Sequence, residues 1–209
     1  MKRLILILGL WTAPLPALAQ GAYVNHALRF GFTPPAGWRQ QPQNDPAPGL
    51  VVAFVEPGGH QPRPRQTRHE TDQEFLARIN RSLRARASVE SHHSASLTVT
   101  VQNLGESSLD EYIRVTRART AAAEKAARSQ GALVTMYRIL GEKRRRLGGQ
   151  PAFERVVQIT LPGDPPIRTR EVIALSGGRV FTLTMAAPPP RFAGCSAEMD
   201  KVLASFVWR

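Results

Sequence analysis

The sequence predicts an α+β fold in which an antiparallel β-sheet is flanked by helices, an α-β-α sandwich. Strand-like runs precede and follow a capped helical stretch, Ser107 to Ala127. The later runs are joined by turns too short for parallel crossovers, so they pair antiparallel. A second stretch with helical spacing, Cys195 to Phe206, closes the chain. A sheet covered by these helices is the economical way to bury all of their apolar faces.

The chain has 209 residues, 42% of them hydrophobic, enough for one domain with a genuine core. Residues 1–19 have the pattern of a signal peptide: Lys2 and Arg3 as the charged region, Leu4 to Trp11 as the apolar region, and Ala17-Leu18-Ala19 as the cleavage site. The apolar stretch is too short to span a bilayer, and Pro14 and Pro16 interrupt it. No Cys follows the cleavage site, so a lipid anchor is not expected, and no later stretch has the length of a transmembrane helix. The expectation is an exported, soluble protein in the periplasm or outside the cell, a single domain over residues 20–209. Without Lys2 and Arg3, 26 basic residues face 16 acidic ones, a formal charge of +10. An exported protein with that excess is expected to meet an acidic protein or an anionic membrane or cell-wall surface rather than nucleic acid.

Taken in order, Tyr23 to Trp38 begins the domain, with Leu28, Phe30 and Phe32 alternating as on a strand and Pro34-Pro35-Ala36-Gly37 turning the chain into Trp38. Leu50 to Val55 is dense in β-formers and ends at Pro57-Gly58-Gly59. Residues from about 60 to 94 have the look of an insertion: a Pro/Arg stretch, then Thr71 and Glu74 as a capping box opening a basic amphipathic helix with Arg78, Arg81, Arg84 and Arg86 around it.

Ser96 to Asn103 is the third strand. The helix after it starts with Ser108 and Glu111 as a capping box, and Gly131 is placed to end it. Leu109, Tyr112, Ile113, Thr116, Thr120, Ala123 and Ala127 share one face, whereas Arg114, Arg117, Lys125 and Arg128 form a basic stripe. Leu133 to Leu140 is a strand, Lys143 to Arg146 a basic run, and Gly148-Gly149 a turn into Ala152 to Leu161, where Phe153, Val157 and Ile159 point one way and Glu154, Val156 and Gln158 the other. Ile167 to Leu175 and Arg179 to Met185 form a hairpin around Ser176-Gly177-Gly178. In the final helix, Met199, Val202, Leu203 and Phe206 are the buried positions.

Catalytic chemistry finds little to stand on. His60, His69, His92 and His93 sit at the two ends of the insertion, but adjacent side chains on a strand diverge and no convergent ligand set is spaced for zinc, so no metal and no cofactor is expected. There is no G-x-S-x-G elbow, P-loop or dinucleotide fingerprint. Cys195 is the sole cysteine, with no His close in sequence, and is either a small apolar core residue or a thiol able to pair with another chain. The candidate binding surface is basic: Arg78, Arg81, Arg84, Arg86, Arg114, Arg117, Lys125, Arg128, Lys143, Arg144, Arg145 and Arg146. Few aromatics interleave with these residues, which disfavours single-stranded nucleic acid.

The order of elements resembles the PsbP family, whose fold is shared with Mog and DcrB-like proteins. The resemblance is carried by the aromatic opening Tyr23 to Trp38, SLTVTV before SLDEY, the turn GGQPAFE after a basic strand, and GGRVFTLTMAAP with SFVWR at the end. It covers the domain apart from the insertion. It implies an α-β-α sandwich and a non-enzymatic assembly or binding role. Members in photosynthetic organisms serve photosystem II, and others are exported proteins of unknown role or chaperone-like adaptors. The expectation is therefore an exported non-catalytic binding or assembly factor. The alternatives are a periplasmic hydrolase or metal-dependent enzyme with an unrecognised site, or a carrier of an apolar ligand.

Overall fold

A computed structural model describes residues 21–42, 49–57, 94–104, 108–129, 136–160 and 165–209, without the side chains of residues 123, 124 and 126–128. The proposed leader, nearly all of the insertion and the Gly131 helix end lie outside the described residues.

The strands are β1 (Tyr23–Asn25), β2 (Phe30–Phe32), β3 (Arg39–Gln40), β4 (Leu50–Val55), β5 (Ser96–Asn103), β6 (Met136–Leu147), β7 (Gln150–Thr160), β8 (Ile167–Ser176), β9 (Arg179–Ala187) and β10 (Val207–Trp208). The helices are α1 (Leu109–Ser129) and α2 (Phe192–Ser205). Seven strands form one sheet in the order β3-β4-β5-β9-β8-β7-β6, every pair antiparallel, and β1, β2 and β10 form a second, small sheet.

Two features depart from the sequence-based reading of the chain's ends. Tyr23 to Phe32 is a hairpin rather than one alternating strand. Leu28 sits in its turn, where its N–H donates to Asn25 Oδ1 at 2.9 Å, and Arg29 adopts a positive φ of 54°. After α2 the chain extends again, and Val207 and Trp208 pair with Gly31 and Phe30. The two ends thus share one small sheet.

Pleating puts neighbouring residues of the large sheet on opposite faces. Ala152, Val172, Ala174, Phe181, Leu183 and Met185 meet Cys195, Met199, Val202, Leu203 and Phe206 in the main core. There Phe30 stacks on Phe206 at 5.7 Å between ring centroids, and Trp208 meets Phe206 edge-on at 4.8 Å. On the other face, Phe153, Ile173 and Val180 bury Ile113, with Leu109 and Tyr112 packed alongside. The helices therefore flank the sheet on opposite sides, as expected of the α-β-α sandwich.

Candidate functional site

The start of α1 is set by Ser108, whose Oγ accepts the Glu111 N–H at 3.2 Å. Glu111 does not return the bond as a full capping box would. Its carboxylate instead takes the Arg114 guanidinium 2.5 Å away, and that hydrogen bond holds the Glu111 carboxyl below its ordinary range. Ile113 anchors this first part of the helix on Phe153 and Ile173. The anchoring fixes where the exposed side of α1 stands relative to β6 and β7.

A cleft of about 300 Å³ opens there, lined by Asp110, Ile113, Arg114, Arg117, Arg144 and Phe153. Its floor is apolar and its rim cationic. Arg117 places its guanidinium carbon 5.5 Å from the Phe153 ring centroid, a cation–π arrangement, and also pairs with Glu142. Arg144 reaches Asp110 at 2.5 Å. Arg114 and Arg117 share one side of α1, and Arg144 joins them from β6 only because α1 docks beside that strand. Their partners Glu111, Asp110 and Glu142 orient them. Such exposed pairs are worth about 0–1 kcal/mol each, so an incoming carboxylate can exchange for them at little cost.

The expected basic residues divide. Alternation along β6 sends Arg144 and Arg146 to the α1 face, and Lys143 and Arg145 to the opposite one. Arg146 donates to the Gly149 carbonyl at 2.9 Å. Lys143 lies 3.3 Å from Glu154, and Arg145 pairs with that same carboxylate. Lys125 is exposed on α1. The side chain of Arg128, together with Arg78, Arg81, Arg84 and Arg86, lies outside the described residues.

Glu154, expected on the strand face opposite Phe153, belongs to a buried network that the sequence analysis did not anticipate. Glu154 and Arg170 are only 4% and 5% exposed. Arg170 donates to Glu154 at 3.0 Å, to Asp200 of α2 at 2.6 Å, and to the carbonyl and hydroxyl of Ser196 at 2.8 and 2.9 Å. Burial alone would raise the Glu154 carboxyl, but hydrogen bonds from Arg170 and Arg145 outweigh it and hold the group below its ordinary range. Arg145, whose side chain is largely covered, is therefore committed to this network, whereas Lys143 only borders it and stays exposed. Beneath α1, Arg155 and Glu171 pair at 2.7 Å between neighbouring strands. The sign of such a network in the sequence is the interior Arg of the strand run IRTREV, a residue that enters a covered sheet only with a partner.

Among the described residues there is no cluster of three or more His, Cys, Asp or Glu able to hold a metal ion. Cys195 is buried in the core, where burial pushes its thiol up, with partial opposition from Arg191. Among the same residues, no helix is long and apolar enough to cross a membrane.

The PsbP family model matches residues 20–208. The chain belongs to the PsbP family. Among solved structures it is similar to cyanobacterial PsbP from Synechocystis, with a TM-score of 0.58 and 16% identity over 96% of this chain and 99% of that one. It also matches the Ran-binding protein Mog1p of Saccharomyces cerevisiae, with a TM-score of 0.47 and 11% identity over 89% and 93%. LpqN, involved in cell envelope biogenesis of Mycobacterium tuberculosis, matches with a TM-score of 0.48 and 12% identity over 85% and 82%. No curated protein matches the sequence. The PsbP membership and the likeness to the cyanobacterial structure agree with the resemblance seen in the sequence, and the shared property is the fold.

Proposed function

We propose that this PsbP-family protein is an exported, non-catalytic binding or assembly factor that engages an acidic protein through the face shared by α1 and β6. The observation that carries the reading is the convergence of Arg114, Arg117 and Arg144 around a cleft floored by Ile113 and Phe153. A cationic rim over an apolar floor suits a carboxylate-bearing side chain with apolar neighbours, because the charges select and steer while the floor supplies burial. Among the described residues, the lining offers no hydroxyl, thiol or imidazole to act as nucleophile or base, and the carboxylate of Asp110 is paired with Arg144. The pattern of residues 1–19 and the excess of basic residues support the exported part of the reading.

The test is a binding assay with polyglutamate and, in parallel, with phosphatidylglycerol vesicles. Arg114→Glu with Arg144→Glu is expected to lower polyglutamate affinity about tenfold or more and to flatten its dependence on salt. Unchanged binding in that variant would contradict the reading. Binding to vesicles alone would replace the acidic protein by an anionic surface. Arg145 is a poor choice for such a variant, since its removal exposes the Glu154 network rather than the cleft.

A further inference from the structure

The two edges of the large sheet are unlike each other. One is β3, two residues long, and the other is β6, which spans Met136–Leu147 and pairs with β7 alone among the described strands. Long free edges invite pairing with another chain, and proteins usually blunt them. β6 carries two such devices, a register shift between Ile139 and Gly141 and the cations Lys143 to Arg146. Yet it also exposes apolar side chains: Met136, Ile139 and Leu140 are 57%, 50% and 42% accessible, and they make up three of the four exposed large hydrophobics among the described residues. A strand built only to repel neighbours gains nothing from these.

We infer that β6 is a docking edge for an extended acidic segment of a partner protein, which adds antiparallel as a further strand. The inference rests on the acidic-partner reading and specifies its mode. Beyond the register shift, Glu142 to Leu147 run in unbroken pairing with β7, so no bulge interrupts the outer edge there. Along the α1 face the strand presents Ile139, then Glu142, Arg144 and Arg146. An antiparallel segment with carboxylates in its first half meets Arg144 and Arg146 beside the cleft, and apolar residues in its second half meet Ile139 and Leu140. Main-chain hydrogen bonds would supply affinity and the alternating side chains selectivity. A second copy of this chain is a poorer occupant. β6 bears Arg138 and Lys143 to Arg146 against Glu142 alone, so two copies would bring like charge together.

The probe is a peptide of about ten residues, with Glu in its N-terminal half and alternating Val and Thr in its C-terminal half. It is compared with two versions N-methylated on alternate residues, which keep the charge but remove one or the other set of backbone donors. The unmodified peptide should bind, one methylated version should lose about tenfold or more in affinity, the other should bind nearly as well, and β6 amides should gain protection from hydrogen exchange. Equal binding of all three peptides would overturn the docking edge while leaving the acidic-partner reading intact. Binding of polyglutamate without binding of the unmodified peptide would do the same. A dimer in sedimentation with β6 protected in the absence of peptide would overturn the acidic occupant.

Discussion

Arg170 and Glu154 face each other 3.0 Å apart across neighbouring strands, both buried, and Arg170 continues to Asp200 and Ser196 on α2. The pair joins the sheet to the helix that covers it. Its existence explains why Arg145, within the basic run at 143–146, is turned toward Glu154 rather than toward a partner.

Removing one member of a buried charged set costs more than the set contributes, because the remainder is left uncompensated. Glu154→Gln should lower stability by about 2–4 kcal/mol, read from the denaturant midpoint. The double change Glu154→Leu with Arg170→Met should recover most of that loss. A double variant no better than Glu154→Gln would show that the network contributes through its geometry rather than its charge balance.

The same carboxyl sets a pH dependence. Its folded pKa is held below the unfolded value, so it contributes stability that is complete above the unfolded pKa and is lost as pH falls through the folded one. Stability should therefore decline on acidification below about pH 5, and decline less steeply in Glu154→Gln. Parallel acid profiles for the two proteins would contradict the assignment.

Cys195 faces the core from α2, and burial raises its thiol. Native protein at mildly alkaline pH should react with a disulfide reagent on the order of a hundredfold more slowly than the same protein in denaturant. Rapid native labelling would mean that α2 opens far more readily than its packing suggests.

Gly148 turns β6 into β7 at a φ of 52°, and a Cβ added there would lie 2.8 Å from Trp208 Cδ1. Trp208 is fixed in place by its indole N–H, which donates to the Leu147 carbonyl at 2.9 Å. Gly149 has a φ of 85° and open space around it. Gly148→Ala should thus cost about 2–3 kcal/mol and Gly149→Ala about 1 kcal/mol, read as separate shifts in thermal midpoint. Equal shifts would remove Trp208 from the account.

Elements specified by local chemistry were legible in the sequence. β4 and β5 have the expected bounds, because β-branched runs end at Pro57-Gly58 and near Leu104. α1 begins where Ser108 offers its hydroxyl, and α2 presents Met199, Val202 and Leu203 inward, with Phe206 buried just beyond its end. β3 and β10 were not legible, since two residues have no periodicity and their pairing partners lie far away in sequence. The hairpin at Leu28 turns on an Asn25 side-chain bond that a run of alternating apolar residues disguises. The candidate site was half legible. Arg114, Arg117 and Arg144 stood out as charges, but their gathering around Phe153 depends on helix docking, and the pairing of Lys143 and Arg145 with Glu154 depends on strand register. Neither is a local property.

The most direct test is a polyglutamate titration followed by backbone NMR, on the native chain and on two charge-matched variants. Arg144→Glu changes the cleft, whereas Arg179→Glu makes the same change in charge at the exposed start of β9. Shifts centred on Arg114, Arg117 and Arg144 that vanish in Arg144→Glu and persist in Arg179→Glu are the predicted result. Shifts spread evenly over the surface, or weakened equally by both variants, would contradict it.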